Sequence, residues 1–334
     1  MIRKLVLSLY YFYFDSGTTN TRAYLIHCHQ IIRRVDIPVG SRDSALKHDR
    51  TVLMLALKRL YHKILQEENL GDKDVQAIYM SGMVSSSSGM VEIEHLSLPV
   101  DFKTLKDSIA AYEDTEFFNR IIHIVPGLKT LPQGVTASLD TVALANNMRG
   151  EEIEIFGILH RCPELAAGHS IIVLPGSHTQ TAFLCDGRIE DISSTITGEL
   201  FHAIVSETIL GSSLTGGIAE EIIPELVCMG YEIIHKYGFN RGLYVIRSMD
   251  LFAESTLAQR VSYMEGVLNG GVMDAIAQIM KDSSGTIAIA GPHMQYQIFS
   301  ALVKKFFPQF QIMEVPVRQD CPFSVEGFLS LLYD

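Results

Sequence analysis

The sequence predicts an α/β protein built as two lobes, on three observations. A segment near the start, Phe14-Asp15-Ser16-Gly17-Thr18-Thr19-Asn20-Thr21-Arg22-Ala23-Tyr24-Leu25, has a faint copy at Leu174-Pro175-Gly176-Ser177-His178-Thr179-Gln180-Thr181-Ala182-Phe183-Leu184. Gly17 matches Gly176, Thr18 matches Ser177, and Ala23-Tyr24-Leu25 matches Ala182-Phe183-Leu184. Each copy reads as an apolar strand, a Gly/hydroxyl turn and a second strand. Strand patterns also alternate with helical ones along the rest of the chain, which marks strands interleaved with helices. The composition, 47% hydrophobic and 19% charged over 334 residues, supplies apolar side chains for one large core or two ordinary ones.

In chain order, residues 5–14 read as a strand, 22–28 as its hairpin partner and 31–38 as a third strand. Residues 51–68 have helical apolar spacing and lead into a strand at 77–80. Residues 81–89, rich in Ser and Gly, read as a loop. Residues 121–125 form a strand stopped by Pro126-Gly127, and 150–160 a helix with two glutamates in its first turn. The pattern restarts near Ile171 with a strand at 171–174 and its hairpin, followed by a helix at 199–209 and mostly helical sequence from 219 to about 271. A short buried strand at 286–290 ends in Gly291. A helix at 295–306, a strand at 312–317 and a closing helix at 323–332 complete the chain. The restart sets the expected division: residues 1–165, completed by the helix 320–334, form the N-terminal lobe, and 166–319 the C-terminal lobe.

The charge balance is 27 basic against 38 acidic residues, a net of −11. No basic stripe is available to neutralise a nucleic-acid backbone, so nucleic acid is not expected as a partner. A small anion would need local positive groups such as Arg22, Arg149 or helix N-termini. The five cysteines are scattered, odd in number and without a CxxC, as in a reducing, cytoplasmic compartment. The apolar start runs straight into the Asp15 turn without a small-residue cleavage site, so it reads as a strand and not a signal peptide. No stretch reaches membrane-spanning length. GxGxxG, GxxxxGK with Ser or Thr, HExxH and GxSxG are all absent, which argues against dinucleotide-binding, P-loop, zincin and α/β-hydrolase chemistry. The histidines show no metal-ligand spacing, and no zinc site is expected.

The glycine-tipped hairpins suit phosphate oxygens, because glycine permits unusual φ and close backbone approach and the N–H groups and hydroxyls there are unblocked. The other reading is two ordinary hairpins. Asp15, opening the first turn, either holds a hydrated Mg²⁺ or bonds its own turn backbone. Glu151 and Glu152 either supply the general base of a phosphoryl transfer or complement a helix dipole. Arg149 either grips a substrate carboxylate with two prongs or pairs with a nearby glutamate. Glu199 either binds substrate or caps its helix. His178 either donates to a phosphate oxygen or is a structural turn histidine. Arg22 is placed on a strand face, in reach of a phosphate or of a salt bridge.

Taken in order, the Asp15–Leu25 motif, Ser81-Gly82-Met83 with its glycine loop, Asn146-Asn147-Met148-Arg149-Gly150-Glu151-Glu152, Pro175-Gly176-Ser177-His178 and Thr197-Gly198-Glu199-Leu200 resemble the 2-dehydro-3-deoxygalactonokinases, sugar-acid kinases of the actin/hexokinase/Hsp70 superfamily. Asp-x-Gly-Thr-Thr-Asn belongs to the whole superfamily; Met148–Glu152 together with Pro175–His178 is more specific. The resemblance implies a two-lobed ribonuclease H-like fold with a mixed sheet in each lobe, and ATP and Mg²⁺ as cofactors. It implies phosphorylation of 2-dehydro-3-deoxy-galactonate or a close analogue on a primary hydroxyl. Asp15 would hold Mg²⁺ through water, and Gly17, Thr18, Thr19 and Asn20 would lie at the ATP phosphates. Gly176, Ser177 and His178 would form the second phosphate turn and Gly291 would sit near the adenosine. Ser81, Gly82, Met83, Gly89, Glu92, Arg149 and Glu199 would face the sugar acid. The expected partner is that small molecule; a homodimer stays open.

The chain departs from the family where a Lys-Trp pair gives way to Gln180-Thr181, an aromatic to Met90, Ala-Pro-Tyr to Ile93-Glu94-His95, and Gly-Thr-Ser to Gly291-Pro292-His293. These departures motivate a rival, a non-catalytic sugar or nucleotide sensor on the same fold. A third reading is hydrolysis of a phosphate or phosphoanhydride.

Overall fold

A computed structural model describes residues 10–215, 221–281 and 284–333. The expected strand residues 5–9 and the start of the helical stretch at 219–220 lie outside them. The chain divides into two compact units: residues 1–162 with 318–334, and 163–317.

Unit 1 contains β1 (Tyr10–Ser16), β2 (Thr21–His27), β3 (Gln30–Ile37), α1 (Ser41–Lys47), α2 (Thr51–Glu67), β4 (Val75–Gly82), β5 (Leu96–Ser97), α3 (Phe102–Asp107), β6 (Ala110–Asp114), β7 (Arg120–Ile124), β8 (Leu128–Lys129), β9 (Asn147–Met148) and α4 (Glu151–Arg161). Its main sheet has the order β3-β2-β1-β4-β7-β6. β1 pairs antiparallel with β2 and parallel with β4, β4 is parallel to β7, and β6 closes the edge antiparallel. A small sheet β5-β8-β9 lies in the same unit. β1 reads Tyr-Tyr-Phe-Tyr-Phe because, as a central strand, it is covered on both faces. Phe12 and Phe14 meet Leu53, Leu57, Tyr61 and Ile64, the i, i+4 stripe of α2. Burying each such side chain contributes about 1.5–3 kcal/mol relative to exposure.

Unit 2 contains β10 (His169–Leu174), β11 (His178–Cys185), β12 (Arg188–Ile196), α5 (Gly198–Glu207), α6 (Gly211–Leu214), α7 (Pro224–Tyr237), α8 (Phe239–Phe252), α9 (Leu257–Met280), β13 (Gly285–Gly291), α10 (His293–Phe306) and β14 (Phe310–Pro316). Its sheet runs β12-β11-β10-β13-β14. β10 is antiparallel to β11 and parallel to β13, which is parallel to β14. Ile171, Val173, Ile287 and Ile289 pack against Val272, Met273 and Ile276 of α9 and Ile298, Phe299 and Leu302 of α10. Both units are therefore mixed α/β with the same plan: a three-strand antiparallel meander whose first strand pairs parallel with the next strand inward.

The last helix, α11 (Phe323–Tyr333), returns to unit 1 and packs against α4. A Cβ on Gly327 would lie 2.0 Å from the Ile153 carbonyl oxygen, and one on Gly157 would lie 2.1 Å from that of Phe323, so only glycines allow this crossing. Arg161 and Glu326 clamp it with a largely buried ion pair of 2.7 Å.

Candidate active site

Asp15 stands at the carboxyl end of β1, opposite Arg22 of β2 and level with Ser81 of β4. Arg22 Nη1 donates to Asp15 Oδ2 at 3.0 Å, and Ser324 Oγ of α11 donates to the same oxygen at 3.2 Å. Asp15 Oδ1 takes no protein hydrogen bond among the described residues. Of the two fates weighed for Arg22, the structure shows the salt bridge. The tip closes with the Gly17 N–H donating to the Asn20 carbonyl at 2.8 Å, and Thr18, Thr19 and Asn20 are exposed. Neither Gly17 nor Gly176 has a positive φ, contrary to the expectation that their backbone freedom shapes the tips. Close packing does so instead: a Cβ on Gly40, the residue before α1, would meet the Thr18 carbonyl oxygen at 2.3 Å. The Ser41 and Arg42 N–H groups donate to the Gly17 and Thr18 carbonyls.

The first turn of α4 lies against the end of β4. Gly82 and Gly150 both have positive φ, +81° and +118°, and a Cβ on Gly150 would sit 3.3 Å from Gly82 Cα. Non-glycine residues avoid that backbone region, so the two glycines set where α4 begins. Three glutamates follow with different fates. Glu152 is fully buried; its Oε2 accepts the Gly150 N–H at 2.6 Å and its Oε1 has no partner. Burial first, and the neighbouring Glu151 second, push its carboxyl up to about 8. Glu151 is half-buried and accepts the Arg149 N–H at 3.2 Å. Glu154, half-buried one turn on from Glu151, is raised to about 8 by burial and then by the charge of Asp15, with Arg22 acting oppositely.

Arg149 is engaged by the loop that precedes it. Its Nη1 donates to the Ser85 carbonyl and to Ser85 Oγ, and its Nη2 donates to the Ile93 carbonyl at 3.1 Å and to His95 Nδ1 at 3.2 Å. The guanidinium thus ties the loop 83–95 to the start of α4. Because arginine only donates, His95 Nδ1 accepts. Burial, and then Arg149, hold the His95 ring neutral, with its pKa pushed down to about 4. Ser81 and Gly82 are buried at the end of β4 and Gly89 is buried within this loop, where Met83 is half-buried and Glu92 is exposed.

In unit 2 the second hairpin repeats the device. The Glu199 N–H donates to the Ser177 carbonyl at 2.9 Å, and a Cβ on Gly198 would meet the Gly176 carbonyl oxygen at 2.4 Å. Gly176, Ser177 and His178 are exposed. His178 Nε2 lies 3.1 Å from Glu199 Oε2. Thr179 and Thr197 share a buried hydroxyl–hydroxyl bond of 2.7 Å, and the buried Gln180 accepts from Ser194 at 2.8 Å. Gln180 therefore belongs to the sheet interior and not to the tip. Gly291 ends β13 beside Pro175, 3.3 Å from a Cβ built on it, and His293 Nδ1 pairs with Glu314 Oε1 at 2.7 Å.

Unit 1 thus brings Asp15, Ser81, Gly82, Arg149, Glu151 and Glu152 to one end of its sheet, and unit 2 brings Gly176, Ser177, His178, Glu199 and Gly291 to one end of its own. Among the described residues no three His, Cys, Asp or Glu side chains form a metal-holding cluster. A cation that keeps most of its waters and needs one carboxylate fits Asp15, whose Oδ1 is not taken by protein. Three residues had no place in the sequence reading of the site. Glu154 was signalled only by its i, i+3 spacing from Glu151. Ser324 lies 309 positions from Asp15 in sequence. Gly40 carries no motif beyond being glycine before a helix, whereas Gly198 entered as part of the Thr197–Leu200 motif. No described helix is long and apolar enough to cross a membrane.

Residues 15–315 match the family model described as 2-keto-3-deoxy-galactonokinase. A Rhizobium meliloti protein assigned to the 2-dehydro-3-deoxygalactonokinases is 28% identical over 61% of this chain and 59% of its own length, so that match spans less than two thirds of the relative. The 2-dehydro-3-deoxygalactonokinase of Escherichia coli is 23% identical over 91% of this chain and 90% of its own. A crystal structure of a Sinorhizobium meliloti protein assigned to the same enzymes superposes with a TM-score of 0.73 at 21% identity, covering 97% of each chain, and shares the fold.

Proposed function

Because the chain belongs to the 2-keto-3-deoxy-galactonokinase family, we propose that it is a carbohydrate kinase that transfers the γ-phosphoryl group of ATP to a primary hydroxyl of a small sugar acid, 2-dehydro-3-deoxy-galactonate or a close analogue. The observation that carries this reading is the gathering, within unit 1, of the Asp15 carboxylate, the Ser81–Gly82 strand end and the glutamates of α4. The repeated sheet plan supports a ribonuclease H-like fold in each unit.

Asp15 holds a divalent cation, Mg²⁺ in this reading, through its water shell; when bound, that cation neutralises charge on the transferring phosphoryl group. Exposed hydroxyls and N–H groups at Thr18, Thr19 and Asn20, and at Ser177 and His178, bind phosphate oxygens. Gly291 leaves room for the adenosine. Glu151 accepts the proton of the attacking hydroxyl. Glu152 is the poorer base, since it is sealed in the interior and already protonated at neutral pH. Arg149 acts as a positioning residue that holds the substrate loop. The loop residues Ile93, Glu94 and His95 tune which sugar acid fits.

A coupled assay for ADP against a series of 2-keto-3-deoxy sugar acids tests the proposal. One acid should raise ADP release far above the sugar-free rate. Equal release without sugar would point to hydrolysis, and a thermal shift with ligand but no turnover to a sensor; either result overturns the kinase reading.

A further inference from the structure

We propose that Ser324, on the last helix of the chain, is a positioning residue for the Asp15 carboxylate; this rests on the reading of Asp15 as the residue that holds the nucleotide's cation. Ser324 is 2% exposed, and its hydroxyl donates to Asp15 Oδ2. Arg22 Nη1 donates to the same oxygen. Two donors on Oδ2 fix the rotation of the carboxylate and leave Oδ1 as the oxygen offered to a hydrated cation.

The two donors differ in rigidity. The Arg22 side chain is 43% exposed, and a half-solvated guanidinium loses much of its orienting effect to water. Ser324 is carried by a helix docked at three points. The Gly157–Gly327 crossing sets its depth. The Arg161–Glu326 pair fixes its rotation at 2.7 Å. The Phe328 ring stacks on Tyr13, two residues before Asp15 on the same strand, at 4.5 Å and an interplanar angle of 5°. A hydroxyl held this way is already oriented before any ligand arrives, the condition for precise placement of a functional carboxylate. The last residues of the chain therefore act on the chemistry at the end of its first strand.

The test is a titration of Mn²⁺ into the full-length protein with saturating ADP, followed by the loss of the free-ion electron paramagnetic resonance signal, which needs no turnover. Ser324→Ala should weaken Mn²⁺ binding about tenfold, the typical effect of losing one hydrogen bond to a charged group. Ser324→Cys, which keeps the volume but only a weak donor, should weaken it similarly, and Ser324→Thr should restore it to within about threefold. Ser330→Ala removes a hydroxyl that bonds only the Glu326 carbonyl of the same helix and should leave binding unchanged. Equal Mn²⁺ affinity in Ser324→Ala and the unaltered protein overturns the proposal, and so does equal weakening by Ser330→Ala. If the unaltered protein itself takes up no Mn²⁺ with ADP, the metal reading of Asp15 fails first and this proposal with it.

Discussion

In unit 1 the hairpin tip leans on Gly40 and the start of α1; in unit 2 it leans on Gly198 and the start of α5, with the same near-contact to a tip carbonyl oxygen, 2.3 Å and 2.4 Å from an added Cβ. The strand orders match as well. The surroundings do not. The first tip has Asp15 at its base, Glu154 within the field of that carboxylate, and Glu152 raised by burial and by Glu151. The second has paired threonine hydroxyls, a buried Gln180–Ser194 bond and an exposed His178–Glu199 pair. Under the proposed function, one backbone device would serve two tasks. Where acids converge, burial and mutual repulsion raise carboxyl pKa values, a setting that suits metal and proton chemistry. Where hydroxyls and one imidazole converge, the proposed task is anion binding.

The contrast breaks most sharply in activity. Asp15→Asn and Glu151→Gln should each lower kcat by about 10²–10⁴-fold, the range for losing a charge that acts in the transition state or a positioned base. His178→Ala and Glu199→Gln in unit 2 should instead raise the KM for ATP by about three- to tenfold, with kcat within about threefold. Steady-state kinetics with the acceptor found by the coupled screen separates the two classes. A unit 2 variant that loses kcat as severely as Asp15→Asn would dissolve the division.

A smaller effect sharpens the likeness of the two tips. Gly40→Ala and Gly198→Ala each put a methyl group inside the van der Waals radius of a backbone oxygen, so the tip must shift or the helix start must move. Each should cost about 1–3 kcal/mol in urea unfolding. Each should also weaken ADP binding in an equilibrium titration. An effect confined to one of the two would show that the shared geometry is not a shared function.

The strands and helices that stand in both halves were legible because their residues alternate or repeat at 3.6 with little interruption. Residues 51–68, expected as a helix, became Thr51–Glu67, and the strand expected at 286–290 became Gly285–Gly291. β12 was not, since Arg188–Ile196 mixes Asp, Glu, Ser and Thr on an edge strand whose pattern is set by its one neighbour. β6 and α1 escaped for the same reason: short, half-exposed elements carry little periodicity. In the site, Asp15, Glu151 and Glu152 were legible as candidates from motif order. Arg149 was legible as a residue but not as a role, because the loop carbonyls it grips are defined only by tertiary folding. Ser324 was illegible, because no local pattern links the last helix to the first strand.

The smallest predicted effect separates the two buried glutamates. Glu152 in unit 1 is raised to about 8, and Glu265 in unit 2, 7% exposed and held by Asn269 at 2.8 Å, is raised to about 7. Burial is the leading cause in both. A carboxyl with a raised folded pKa binds its proton more tightly in the native state, so it favours folding fully below the ordinary glutamate value near 4.5. That contribution falls as pH rises and is gone above the folded pKa. The half-buried His95 and His123, lowered from 6.5, titrate the other way, and their opposing slope dies away within about one unit above that pH. Above about pH 7.5 the slope of these groups therefore comes mainly from the carboxyls. Between about pH 6.5 and 8.5, Glu152→Gln should remove about 2 kcal/mol of the decline and Glu265→Gln about 0.8 kcal/mol, since the latter's window closes sooner above pH 7. Urea unfolding followed by far-ultraviolet circular dichroism at several pH values gives both numbers. A decline that Glu152→Gln leaves untouched would mean that this carboxyl reaches water, and that the distinction between Glu151 as base and Glu152 as interior acid is misplaced.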